Sequence, residues 1–237
     1  MEMRTAKKSE PPVEEATAAD IVQRLEEEIA LGVLRPRERL VEDDLLTRFN
    51  AKRHVVRQAL IDLETMGIVS RPPNRGAVVR DIGRDELEQI YFVRELLERA
   101  AAEVMPLPAE AQVLKKLTDL HERHSKASRE GRLRDVFRLN LEFHKALFDA
   151  CGNTLLSEAI LQFAFKAHAI RSYTIGDPKL LARVCEEHAR MIKLMRGGEA
   201  NRAALVKLVS DHKRPAKQAY EQALQRLEQS SEPLRAR

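Results

Sequence analysis

Apolar residues recur every three to four positions along most of the chain, which predicts a succession of amphipathic helices. In "AADIVQRLEEEIALGVL", Ile21, Leu25 and Ile29 mark the first, and Gly32 is placed to end it. "RPRERL" turns the chain. A short helix is predicted from about Glu42 to Phe49, then a break at "NAK". A third runs from about His54 to Met66, with Val56, Leu60 and Leu63 inward and Gly67 as its C-cap. The pattern then changes. In "IVSRPPNRGAVVR" two short β-branched runs flank Pro-Pro-Asn-Arg-Gly, which signals a hairpin. Three helices and a hairpin predict a winged helix-turn-helix over residues 18–82.

"DIGRDE" reads as a hinge-like joint, and helical periodicity dominates everything after it. The first stripe is Ile90, Val93, Leu97, Ala101 and Val104, ended at "MPLP". The second is Val113, Leu117, Leu120 and Ala127, closed by Gly131. A third helix spans Val136 to Ala150, and Asn153 or Thr154 can cap the next. The fourth carries Leu156, Ile160, Phe163, Ala167 and Ile170. The fifth spans Leu181 to Met195. The sixth carries Leu205, Leu208, His212, Ala216 and Ala219, with Pro215 expected to kink it. Short joints between such helices predict an all-helical bundle over residues 83–228. The charged, proline-containing ends, 1–17 and 229–237, have little to bury and are expected to be disordered tails. The fold class is therefore mostly α, a winged helix-turn-helix followed by a helical bundle.

Composition narrows the setting. The chain has 237 residues, 43% of them hydrophobic, enough for two modest cores. Aromatic content of 4% without Trp suits aliphatic helix packing. Two cysteines, Cys151 and Cys185, make neither a disulfide framework nor a CxxC pair. No signal-peptide core is read, and no apolar run approaches the ~20 residues of a membrane span. The expectation is a soluble cytoplasmic protein without a membrane partner.

The formal charge of +4 permits a nucleic-acid partner without requiring one, so arrangement matters more than total. No acid occurs from Leu45 to Ile61, where Arg48, Lys52, Arg53, His54 and Arg57 stand. None occurs from Thr65 to Arg80 either, where Arg71, Arg75 and Arg80 stand. Such a cationic face suits phosphate contact. In a helix-turn-helix the second helix enters the major groove by its N-terminus, here Lys52, Arg53 and His54. Arg53 and Arg57 lie one turn apart and can both face the groove. The tip Asn74-Arg75-Gly76 can press on the backbone or minor groove. The alternative is a set of solvated surface arginines.

The stretch "GVLRPRERLVEDDLLTRFNAKRHVVRQALIDLETMGIVSRPPNRGAVV" resembles the GntR family of bacterial repressors. Arg53, Arg57, Ala59, Leu60, Leu63, Gly67, Arg75 and Gly76 fall on positions of the family pattern. Arg37 stands where a turn glycine is usual, Ala51-Lys52 replaces Val-Ser, and Val55 replaces Pro. The resemblance implies a homodimer on a double-stranded operator, more often a repressor, with Arg53 and Arg57 as DNA contacts.

Three histidines sit on apolar stripes of separate predicted helices. His144 lies with Phe137, Leu141 and Phe148; His188 with Leu181, Val184 and Ile192; His212 with Leu205 and Leu208. One such histidine is usually a satisfied core residue. Three buried without partners would cost several kcal/mol in unmet hydrogen bonds. A shared divalent metal removes that cost, and imidazole suits zinc, nickel, copper or iron. Asn140, one turn before His144, can add an oxygen. His121 and His124 read as helix-face residues.

The second half resembles the all-helical ligand-binding domain called FCD, on "YFVRELLERAAAE", "NLEFHKALFDACGN", "EEHARMIKLMRGGEANRA" and the late His212. Metal-binding members carry D-x-x-x-H and two later histidines. His144, His188 and His212 fall on those positions, and Asn140 replaces the aspartate. The resemblance implies a divalent metal, zinc or nickel foremost, and a small organic acid effector. Arg94 and Arg171 are the candidate effector clamps, although Arg94 could equally pair with Glu98 one turn on. A three-histidine metal centre also admits a metal-dependent hydrolase. Against that, the only nearby carboxylate, Glu142, should face away, and a hydrolase has no use for a basic winged helix.

Overall fold

The computed structural model describes residues 15–72 and 76–231. Helix α1, Ala18–Ala30, opens with a capping box: Thr17 Oγ1 accepts from the Asp20 amide, and Asp20 accepts from the Thr17 amide. Helices α2, Glu42–Phe49, and α3, Arg53–Thr65, follow at the expected places. Ile21, Leu25, Ile29, Leu45, Val56, Leu60 and Leu63 meet in one core. The wing is a three-stranded antiparallel sheet in the order β1-β3-β2: Arg39–Leu40, Ala77–Val79 and Val69–Ser70. The hairpin pattern predicted β2 and β3. Strand β1 escapes a periodicity reading because two residues make no period.

The helical half begins earlier than the hinge-like reading of "DIGRDE". Gly83 is the N-cap of α4, Arg84–Val104, so Asp85 and Glu86 form its first turn. Then come α5, Ala111–Arg129, α6, Leu133–Asp149, and α7, Thr154–Lys166, capped by Asn153. The predicted fourth helix breaks at Ala167, which separates α7 from the short α8, His168–Arg171. Helix α9, Pro178–Arg196, has Asp177 as its cap. The predicted sixth helix is also two: α10, Arg202–His212, and α11, Arg214–Ser231. Pro215 sits in the first turn of α11, where its missing amide costs nothing, so it starts a helix instead of kinking one. Helix α11 also carries residues 229–231, assigned to a tail by composition alone. The bundle core is centred on α6, which buries Phe137, Phe143, Leu147 and Phe148. Each contributes about 1.5–3 kcal/mol of burial.

The two halves meet through α1. Glu26, Glu27 and Glu28 are all buried on that helix. Glu28 turns inward to Arg24 and Arg48 of its own half. Glu27 receives Arg134, at 3.1 Å, and Arg138 from α6. Glu26 lies 3.0 Å from His168 of α8. Farther along, Tyr220 of α11 donates to the Ile82 carbonyl at 2.8 Å.

Candidate functional site

On the small half, Lys52 is the N-cap of α3, Arg53 is its first residue, and His54 and Arg57 are exposed beside them. This face is not the acid-free surface that the linear sequence implies. The first turn of α2 folds against it. Arg57 Nε donates to Glu42 Oε2 at 3.0 Å, and Arg53 reaches Asp43 Oδ1 at 2.8 Å and Glu42 at 3.5 Å. Lys52 is 3.2 Å from Glu15. Arg48 bonds buried Glu28 and lies over the Phe49 ring, so its guanidinium holds α2 to α1. Gly76 takes φ +69 at the root of the wing tip, a left-handed turn that suits glycine. Arg75 and Asn74 lie outside the described residues.

In the helical half, three imidazoles converge from α6, α9 and α10. One nitrogen each of His144, His188 and His212 lies within 4.8 Å of the others. His144 Nε2 is 3.4 Å from His188 Nε2 and 3.2 Å from His212 Nε2. Tetrahedral ligands at metal–nitrogen bonds of about 2.0–2.1 Å stand at comparable separations. His212 Nδ1 meets Glu187 Oε2 at 2.6 Å. That contact holds the Nδ1 proton on the carboxylate side and turns the Nε2 lone pair to the cluster, a carboxylate–histidine arrangement that favours a metal. Burial, followed by the neighbouring imidazoles, holds His188 well below its ordinary pKa. Burial, His212 and Arg171 do the same for His144. Both rings are therefore neutral donors. Buried His188 Nδ1 has no hydrogen-bond partner among the described residues.

A cavity of about 110 Å³ opens beside the cluster, lined among others by Tyr91, Arg94, Asn140, His144, Arg171 and His212. Its cations differ. Arg94 Nε and Nη2 both lie 2.9 Å from Glu98 Oε1, and Lys213 Nζ lies 3.0 Å from Glu98 Oε2. Burial raises Glu98, but these two cations outweigh it and hold it net below the ordinary carboxylate range. Arg94 is thus engaged by the acid one turn on. Arg171 has no carboxylate within ion-pair distance among the described residues. With the Asn140 amide turned so that its oxygen faces the guanidinium, the orientation that satisfies both groups, Arg171 donates to that oxygen at 2.5 and 3.1 Å. Burial, then Arg94, pushes Arg171 down to about 10, still a cation at neutral pH.

His124 is not a helix-face residue. It is fully buried on α5, lines the cavity, and has its Nδ1 3.5 Å from Cys185 Sγ and its Nε2 without a partner among the described residues. The signal was present: His124 continues the Leu117–Leu120–Ala127 stripe. His168 is buried too, against Glu26 and the Phe137 ring. Glu98 was legible only as the i+4 partner of Arg94; Glu187 and Lys213 gave no signal beyond their helical positions, because their partners His212 and Glu98 are distant in sequence. Glu142 is exposed, as expected.

Comparison with known proteins agrees with this architecture. Residues 17–79 match the family of bacterial regulatory proteins termed gntR, and residues 89–212 match the FCD domain. The regulator YdhC of Bacillus subtilis is 26% identical over 72% of this chain and 76% of its own length. The repressor RspR of Escherichia coli is 26% identical over 69% of this chain and 73% of its own. The solved structure of E. coli McbR/YncC shares the fold at a TM-score of 0.70 and 20% identity, over 91% of this chain and 98% of that one. A putative GntR regulator from Rhodococcus sp. RHA1 does so at 0.71 and 18%, over 87% and 98%. A metal-dependent hydrolase finds no support among these relatives, which are transcriptional regulators. No helix among the described residues is long and apolar enough to cross a membrane. A winged helix-turn-helix joined to an FCD bundle, with both family profiles matched, makes this chain a member of the gntR family and a transcriptional regulator.

Proposed function

We propose that this regulator is a homodimeric repressor whose grip on its operator is set by a small carboxylate bound in the helical half. The observation that carries this reading is the juxtaposition of the three-imidazole cluster with Arg171, a half-buried cavity cation with no acid within ion-pair distance among the described residues. His144, His188 and His212 would hold a divalent metal, zinc or nickel foremost. A metal held there would supply a positive centre for an anionic effector. Arg171 supplies a planar two-pronged donor for the acid. Arg94 acts through Glu98, closing the wall beside the anion. Asn140 is a neutral substitute for the family's aspartate; it leaves one more positive charge in the site and orients Arg171. An anionic effector compensates that charge.

On the DNA side, Lys52, Arg53, His54 and Arg57 would meet the major groove, and Arg75 and Gly76 the flanking backbone or minor groove. Arg48 serves this surface from behind, by fixing α2. The effector changes operator affinity by altering how α1 seats on α6 and α8, which both run from the cavity to that helix. A coupling of ~1–3 kcal/mol, 5- to 150-fold in affinity, is sufficient.

The test is elemental analysis of the purified protein together with thermal-shift screening of a panel of carboxylic acids. The expected result is about one metal per chain, lost in His188→Ala, and an acid whose stabilisation requires that metal. Metal-free protein that responds to the same acid with unchanged affinity would overturn the metal's role. No response to any carboxylate with metal present would overturn the effector class.

A further inference from the structure

The acids on the reading face invite an explanation. A carboxylate carried towards a phosphate backbone is repelled, and a face built only for affinity would exclude it. Besides Glu15 next to Lys52, two acids of α2 nevertheless stand there, and they differ. Glu42 is largely covered, with 24% of its side chain exposed, and it bonds Arg57 through Nε. That grip leaves the two terminal nitrogens of Arg57 without a partner among the described residues. Asp43 is the outermost acid, 72% exposed, and its partner is Arg53 Nη2 at 2.8 Å. Arg53 is itself 52% exposed at the first position of α3, the end that enters the groove.

We infer that Asp43 is a specificity-determining residue that reads a base amino group alongside Arg53. The inference rests on the docking of α3 proposed above. In the major groove only cytosine N4 and adenine N6 offer donors, whereas guanine O6 and N7 and thymine O4 are acceptors that repel a carboxylate. An Asp–Arg pair places an acceptor next to donors. A C·G pair presents the complementary row: the amino donor of cytosine, then the two acceptors of guanine. Asp43 takes the cytosine amino group, and the donors of Arg53 not shared with Asp43 face guanine. Asp43 therefore selects mainly by exclusion: at its position a base edge without an amino group leaves the carboxylate oxygen not held by Arg53 desolvated and without a donor. Glu42 is the positioning residue that keeps Arg57 and Arg53 in register.

The experiment is selection from a randomised duplex library with the full-length protein, followed by titration of the selected duplex and its single-position variants. Wild type, Asp43→Ala, Arg53→Ala and Lys52→Ala are compared. For wild type, replacing the C·G pair read by Asp43 should cost about 5- to 150-fold, the effect of one matched contact. Asp43→Ala should flatten preference at that position to within about threefold and leave the others intact. Arg53→Ala should lose preference at the same pair and bind more weakly. Lys52→Ala should weaken all duplexes alike. If Asp43→Ala tightens every duplex equally and keeps the wild-type preference at every position, Asp43 only repels phosphate and the inference fails. If Arg53→Ala leaves affinity and preference unchanged, the docking of α3 itself is wrong, a result separate from the first.

Discussion

At the residue scale, the two arginines of the cavity look alike in sequence and should behave oppositely when removed. Arg94 shares Glu98 with Lys213. Arg94→Met leaves a buried acid with half its compensation, so thermal stability should fall by about 2–4 kcal/mol. Arg171 has no acid to abandon. Arg171→Met should leave stability unchanged or raise it by about 1 kcal/mol, while abolishing the thermal shift by a carboxylate effector. A pair of variants equally destabilised would remove the distinction. The buried imidazoles set a pH dependence. Burial, with smaller contributions from nearby cations, lowers His124 to about 4. The unfolded imidazole takes its proton near pH 6.5, so between 6.5 and 4 the unfolded chain binds more protons. Stability is therefore complete above about pH 6.5 and is lost as pH falls through this window, by roughly 3 kcal/mol from this residue alone. Urea unfolding in the presence of a chelator should show the slope, and His124→Gln should reduce it by that residue's share, leaving the part set by His144 and His188.

At the element scale, α6 and α8 are short paths between the cavity and the DNA-reading half. Helix α6 carries Arg134 and Arg138 towards Glu27 and, within the next three turns, Asn140 and His144 towards the cavity. Helix α8 does the same within a single turn, with His168 against Glu26 and Arg171 in the cavity. Glu27→Gln should therefore separate the two functions. Stability should fall by about 1–3 kcal/mol, less than for a fully buried pair because both arginines are partly exposed. Operator binding without effector should persist, and the effector-induced change should shrink to less than twofold, measured by fluorescence anisotropy with and without the acid. An undiminished response would exclude this joint as the route.

At the scale of the whole molecule, the chain should pair so that two recognition helices face two half-sites. Light scattering should give about twice the 27.0 kDa of one chain. Lys52→Ala should lower the slope of log affinity against log salt by about 0.9. Much of this organisation is legible from periodicity. The stripes of α1 to α6, the stop at Gly67 and the inward facing of His144, His188 and His212 follow from spacing, because a buried helix face must be apolar or paired; that the three rings meet follows instead from the cost of burying them unpaired and from the FCD pattern. What spacing hides is of two kinds. Breaks at Ala167 and Lys213 interrupt stripes that continue in phase, so two helices read as one. Partners distant in sequence, such as Glu27 with Arg138 or Asp43 with Arg53, leave no periodic trace, and the acid-free run from Leu45 to Ile61 thus passes for an acid-free surface.

The turn into β1 carries a consequence of its own. Arg37 holds φ +69, where glycine would sit without strain, and its Nε meets Asp81 at 2.5 Å, just before α4 begins. The side chain thus fastens the foot of the wing to the strap leading into the bundle. Exchange for glycine would relax the backbone and untie that knot together. The freed wing would then swivel more widely about its stem, and an operator with altered half-site spacing would be tolerated where the native protein refuses it.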